Sequence, residues 1–183
     1  MDLKIIACIS SNSGLGKNNG ELLFHIKEDL QRFKEITSEN GSIVIMGRKT
    51  FDSIVKLTGG ALKDRINVVL TRDENYESKY GELAYNSVDR IINHHKTMVD
   101  SDKKIFVIGG EEIYNIMLPF ASEAILTIVN KHVEEADAFY PIDLQDSLGF
   151  VPIEQSEDFY SDKYECYYKF VRYVRDESKQ QLS

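Results

Sequence analysis

The chain has 183 residues, 42% of them hydrophobic and 28% charged, the composition of one ordinary globular domain with a sizeable core. Lys and Arg number 22 against 30 Asp and Glu, giving a net charge of −8 and a pI near 5.1. That balance excludes a general nucleic-acid or anionic-membrane surface, so any anion site must be local.

Leu3–Ser10 is an unbroken apolar run that predicts a central strand buried on both faces. It is too short for a signal-peptide core or a membrane span, so the expected compartment is the cytoplasm. Ser11–Gly20 is rich in turn residues and reads as a mobile loop over a site. Its Gly14, Gly16 and Gly20 miss the dinucleotide fingerprint, because Glu21–Phe24 separates them from the next helix. Lys27–Thr37 has the helical period, with Ile26, Leu30 and Phe33 forming an apolar stripe that Glu39-Asn40-Gly41 ends. Asp29 lies three positions after Ile26 and points toward that stripe. A carboxylate at such a margin either caps something or meets a ligand.

Ser42–Met46 predicts a second strand, and Lys49 to Leu57 a short helix with Phe51, Ile54 and Val55 as its apolar face. Gly47–Thr50 is then a strand-to-helix junction. Its free N–H groups, with Arg48, Lys49 and the Thr50 hydroxyl, suit an anion. Loop Thr58–Lys63 leads to a third strand, Arg65–Thr71, and a turn at Arg72–Asn75. A short strand at Leu83–Asn86 precedes a helical segment, Val88–His95, with Ser87 as its N-cap, and Asp100–Lys104 is polar loop.

Ile105–Ile108 predicts a buried strand running into Gly109-Gly110, where a backbone can approach a ligand closely. Glu111–Leu118 is a helix that Pro119 ends, and Ala124–Asn130 is a strand. Ala138–Pro141 closes an acidic connection, and the alternating Tyr, Phe and Val positions of Phe150–Arg175 suit an antiparallel pair. Residues 1–176 read as a single domain and 177–183 as a polar tail. Cys8 and Cys166 lie far apart in apolar or aromatic runs and read as buried reduced thiols. His94 and His95 are adjacent, and His25 and His132 have no cysteine or carboxylate at zinc-motif spacing, so surface or helix-end positions are expected and no metal.

Alternating strands and helices predict an α/β sheet with crossovers, closing in an antiparallel hairpin. Ligands in such sheets sit beyond the carboxyl ends of the strands, where the Ser11–Gly20 loop, Gly47–Thr50 and Gly109-Gly110 all fall.

In chain order, the Ile6-Ala7-Cys8-Ile9 strand, Leu15-Gly16-Lys17-Asn18-Asn19, Lys27-Glu28-Asp29-Leu30 with Phe33-Lys34, Met46-Gly47-Arg48-Lys49-Thr50, and Ile108-Gly109-Gly110 before Tyr114 make up a pattern. It resembles the dihydrofolate reductase family from Leu3 to about Arg175. The resemblance implies a central, mostly parallel sheet of about eight strands with a C-terminal antiparallel hairpin and four flanking helices. It implies NADPH-dependent reduction of 7,8-dihydrofolate by a monomer whose ligands are small molecules, with no nucleic acid and no membrane. By the same resemblance Asp29 is the acid that hydrogen-bonds the pterin 2-amino group and N3 and favours protonation of N5. Burial should raise its pKa, because desolvation disfavours the charged form. Thr127 would brace Asp29, and Phe24 would supply the aromatic ring before the active-site helix. Ile6, Ala7, Cys8, Leu22, Leu30, Phe33, Ile54 and Leu62 would line the pterin and its benzoyl tail, with Arg65 pairing the substrate's α-carboxylate.

On the cofactor side the resemblance implies Ala7, Leu15, Gly16, Gly47, Arg48, Lys49, Thr50, Leu70, Thr71, Arg72, Ile108, Gly109, Gly110, Glu111, Glu112, Ile113 and Tyr114, with a cis Gly109-Gly110 bond. Three departures stand out. Leu23-Phe24 replaces the family's Pro-Trp, so the ring lacks an indole N–H. Thr58–Asp64 replaces a tighter Pro-rich turn. Glu111 and Glu112 follow the glycine pair, and acids so close to a pyrophosphate or ribose would repel it. Two other readings stay open: the reductase of riboflavin synthesis, which shares the fold, and a non-catalytic folate- or nucleotide-binding relative.

Overall fold

The computed structural model describes residues 2–18, 20–98, 103–176 and 178. In chain order the elements are β1 (Leu3–Ser10), β2 (Gly14–Lys17), β3 (Glu21–Leu22), α1 (Lys27–Ser38), β4 (Ile43–Gly47), α2 (Arg48–Thr58), β5 (Ile66–Leu70), β6 (Leu83–Tyr85) and α3 (Val88–Met98). They continue as β7 (Ile105–Gly109), α4 (Glu111–Met117), β8 (Glu123–Val129), β9 (Ala138–Phe139), α5 (Ile142–Ser147), β10 (Phe150–Gln155), β11 (Phe159–Ser161) and β12 (Cys166–Arg175). The main sheet runs β10-β12-β8-β1-β7-β4-β5-β6, with β11 pairing to β12. All contacts from β8 through β1, β7, β4 and β5 to β6 are parallel, and β12 joins β8 antiparallel. The expected parallel core with an antiparallel end is therefore present.

Strand periodicity sorts β1 between two layers. Leu3, Ile5, Ala7 and Ile9 enter one cluster with Tyr114, Met117 and Leu126, while Ile6 joins Val44, Met46, Phe51 and Phe106 in another. With β7 and β8 along its two edges and an apolar cluster over each face, β1 is buried all round, which is why its sequence is an unbroken apolar run. Across the sheet β10 carries a register shift between Pro152 and Glu154, as an edge strand containing proline can.

Several expectations need correction. The stretch expected as a loop contains β2, which pairs with β3 and with β9 in a separate three-stranded sheet. Glycine permits it: a Cβ at Gly14 would stand 2.8 Å from Ala136 Cβ and Ser10 Oγ, and one at Gly16 2.9 Å from the Glu21 carbonyl oxygen. The four expected helices are joined by a fifth, α5, whose six residues are too few for a periodic signal. Ile26 is the extended N-cap of α1, not part of the helix, and Leu30 is 41% exposed rather than within a buried stripe. Pro119 does not stop the chain's helical path at once but sits in a 3-10 turn, Leu118–Phe120. Asn19, the 100–102 part of the polar loop, the side chains of His94 and His95, and the tail beyond 176 apart from Ser178 lie outside the described residues.

Candidate active site

Asp29 is placed by the first turn of α1 against the carboxyl half of β8. There Thr127 Oγ1 donates to Asp29 Oδ1 at 2.5 Å. Pairing of β1 with β8 sets Cys8 opposite Thr127, which brings the Cys8 thiol beside the Asp29 carboxylate. Burial raises the Asp29 pKa above its ordinary 3.8, against the opposing pull of Thr127, the Arg32 guanidinium and Cys8. Burial likewise pushes the Cys8 thiol well up, with the neighbouring Asp29 adding to the effect. Arg32, one turn along α1, stacks its guanidinium 4.5 Å above the Phe170 ring, and Phe170 stands opposite Thr127 on β12. Sequence reading did not select Arg32; its helical spacing of three from Asp29 was the available signal.

Beside this acid, Phe33, Ile54 and Leu62 pack on the cluster of Ile6, Phe51 and Phe106 and form an apolar wall. Leu62 is held by a second residue the sequence did not flag. Buried Asn67 accepts from the Leu62 N–H at 3.1 Å and donates to the Leu62 carbonyl at 2.8 Å and the Arg65 carbonyl at 3.1 Å. The longer Thr58–Asp64 loop is thus tied down by one amide. Arg65 donates through Nη1 to Thr37 Oγ1 at 2.9 Å and through Nε to the Lys63 carbonyl at 2.8 Å, with its guanidinium 5.9 Å from the Phe33 ring. Leu22 and Leu30 stand apart from this wall as exposed side chains. Phe24 is 4% exposed and packs with Ile26, Val129, Cys166 and Tyr168, edge-on to Tyr164 at 5.2 Å. Its ring anchors the approach to α1, and the Tyr164 hydroxyl accepts from the His25 N–H at 2.6 Å.

The second half of the site lies where β4 meets α2 and β7 meets α4. Gly47 and Gly110 are the N-caps of those helices, and neither offers a side-chain cap to the first-turn N–H groups. A Cβ on Gly47 would stand 3.0 Å from Ile113, and one on Gly109 would meet the Tyr114 ring at 2.9 Å. Gly109 also has φ +107°, a backbone conformation that side chains rarely adopt, and the Gly109-Gly110 bond is cis. Across the gap, the Cβ direction of Gly110 points at Thr50 Oγ1, 3.5 Å away. Tyr114 is buried, and its hydroxyl donates to the Ile6 carbonyl at 2.8 Å, linking α4 to the central strand beside the acid. Leu15 and Leu70 pack on the cluster that contains Ala7, Ile113 and Tyr114, while Ile108 packs on the wall cluster.

The two arginines here are already paired. Arg48 Nη1 donates to Asp73 Oδ2 at 2.7 Å, and Arg72 forms an ion pair with Glu112. Glu111 Oε2 accepts from the Phe139 N–H at 3.1 Å, fastening β9. The two acids expected only to repel a phosphate therefore each have a partner within the protein. Among the described residues no group of three His, Cys, Asp or Glu could hold a metal, and no helix is long and apolar enough to cross a membrane.

The arrangement is a two-sided cleft at the carboxyl ends of parallel strands, with a half-buried acid and apolar wall on one side and uncapped, glycine-lined helix starts with cations on the other. Residues 2–175 match the family model described as dihydrofolate reductase. Similar relatives include the dihydrofolate reductases of Staphylococcus haemolyticus, 29% identical over 175 residues covering 96% of this chain and 98% of that one, and of Bacillus subtilis, 31% identical over 176 residues covering 96% of each. A solved structure of dihydrofolate reductase from Enterococcus faecalis, complexed with NADP(H) and RAB-propyl, has the same fold, with a TM-score of 0.79 and 24% identity over 96% of this chain and 97% of that one. The chain belongs to the dihydrofolate reductase family.

Proposed function

We infer that the protein reduces 7,8-dihydrofolate to 5,6,7,8-tetrahydrofolate, with NADPH supplying the hydride to pterin C6 while a proton reaches N5. The observation that carries this reading is Asp29, a half-buried carboxylate bonded to Thr127 beside an apolar wall. A carboxylate there can accept from an amino group and an adjacent ring N–H of a flat heterocycle. Its raised pKa keeps the protonated form closer to neutral pH, as protonation of a weakly basic ring nitrogen requires. Thr127 fixes the carboxylate's orientation, and Phe24 packs the approach to its helix. Ile6, Ala7, Cys8, Phe33, Ile54 and Leu62 would form the substrate side, with the exposed Leu22 and Leu30 at its outer margin. Arg65 uses two of its donors on Thr37 and Lys63 and keeps others for a carboxylate on the substrate's tail.

The residues present fit a dinucleotide on the other side. Glycine at 47 and 109 lets Ile113 and Tyr114 of α4 pack directly on the two strand ends, which holds the start of α4 against that of α2. The uncapped start of α2, with Arg48, Lys49, Thr50, Thr71 and Arg72, would hold phosphates. Gly16, Leu15, Ala7, Leu70, Ile108, Gly110, Ile113 and Tyr114 would orient the rings, with Glu111 and Glu112 at the margin. We take the protein to act as a monomer. The main sheet uses strands from Leu3 to Arg175, which supports one domain over 1–176, and two free thiols fit a reducing cytoplasm.

The test is the absorbance of NADPH followed with and without dihydrofolate. Dihydrofolate-dependent consumption is the expected result, and its absence would overturn the reading. Consumption driven instead by a ribosylated pyrimidine phosphate would identify the riboflavin-synthesis reductase. Binding of both ligands without turnover would identify a non-catalytic relative.

A further inference from the structure

The turn after β5 presents an anion to the cofactor-side cations from within the protein. Asp73 is fixed from three directions: its N–H donates to Thr71 Oγ1 at 3.2 Å, Oδ1 accepts from the Asn75 N–H at 3.0 Å, and Oδ2 accepts from Arg48 Nη1 at 2.7 Å. Arg48 is also 3.7 Å from Asp52, and its guanidinium lies 5.5 Å from the Tyr76 ring. Arg72, the other arginine of the two junctions, is paired with Glu112. A phosphate arriving at Arg48 therefore meets a guanidinium whose charge a carboxylate already faces, and it must displace that carboxylate or share the cation with it.

We propose that Asp73 is a specificity-determining residue: it occupies Arg48 in the free protein and competes with the ribose 2′-phosphate of the cofactor, lowering affinity for nucleotides that carry that group. This rests on the cofactor side being read as above, with Arg48 holding a phosphate. Asp73 and Arg48 are 40% and 49% exposed, so the competition is between solvated groups and its effect is moderate. Nucleotides without a 2′-phosphate leave the pair intact and do not feel it. Glu112 acts in the same sense at Arg72.

Asp73→Asn tests this with little change in shape, because the amide oxygen can still accept from the Asn75 N–H and preserve the turn. Binding of 2′,5′-ADP and of 5′-AMP to the full chain is measured by calorimetry in the native protein, Asp73→Asn and Arg48→Leu. The expected result is that Asp73→Asn tightens 2′,5′-ADP about three- to fivefold, leaves 5′-AMP unchanged, and that Arg48→Leu weakens 2′,5′-ADP selectively. Unaltered 2′,5′-ADP affinity in Asp73→Asn, or equal tightening of both nucleotides, with Arg48→Leu still weakening 2′,5′-ADP, would overturn the competition while leaving the cofactor reading intact. If Arg48→Leu binds 2′,5′-ADP as the native protein does, the phosphate assignment at Arg48 falls and the proposal with it.

Discussion

The two carboxylates that meet β8 have opposite fates. At the start of the strand Glu123 receives Lys4 Nζ at 3.0 Å and Arg172 Nε at 2.8 Å, and these two cations hold its pKa below the ordinary range, Arg172 contributing most. Four residues on, Thr127 donates to Asp29, whose pKa burial has raised. Both acids are bonded; they differ in what compensates for lost water. Glu123 has two cations and is at ease charged, so it fastens β1, β8 and β12 together. Asp29 has a hydroxyl, a thiol and one more distant guanidinium, too little to offset desolvation, so its proton remains available for chemistry.

The sharpest way to break this contrast is to remove each acid's charge while keeping its shape. Asp29→Asn should lower the hydride-transfer rate by about 10²–10⁴-fold, the usual worth of a positioned acid or base, in stopped-flow measurements. Its effect on stability should have the other sign. Because the folded-state pKa of Asp29 lies above its ordinary 3.8, the stability linked to its protonated form is present at low pH and is lost as pH rises through the folded value. Asparagine never ionises, so thermal melts should show the variant gaining on the native protein at neutral pH, with the gain vanishing on acidification.

A smaller change sharpens the comparison. Thr127→Val keeps the β-branched shape but deletes the donor, so Asp29 should be driven further up and the rate should fall about tenfold, with the pH dependence of turnover displaced upward. The smallest effect belongs to the other acid. Glu123→Gln should leave turnover unchanged and cost about 1 kcal/mol of stability at neutral pH by urea denaturation. Since the Glu123 pKa is depressed below 4.5, its contribution is present above that value and is lost as pH falls through the folded value, so variant and native protein should converge in acid.

The sequence made some of this visible and concealed the rest for definite reasons. Apolar runs and alternation located β1 and β12, because burial on both faces or on one leaves a direct periodic trace. Asp29 was visible as an acid beside apolar positions, whereas Thr127 was indistinguishable from a strand threonine until the family pattern singled it out. Glu123 could not be paired in advance, since Lys4 and Arg172 are 119 and 49 residues away. Asp73 looked like an ordinary turn residue, and nothing local shows that its free oxygen reaches Arg48, 25 residues earlier. Leu30 misled because helical spacing records which face a residue shares, not whether another element covers it. The glycines of β2 misled in the opposite way: they read as flexibility and instead allow close packing against Ala136 and Glu21.

Asp29 governing the proton is tested most directly by the pH dependence of single-turnover hydride transfer in the native protein and in Asp29→Asn. The native rate should fall as pH rises through a pKa above 3.8, and that dependence should be absent in the variant. The same falling limb persisting in Asp29→Asn would show that another group holds the proton.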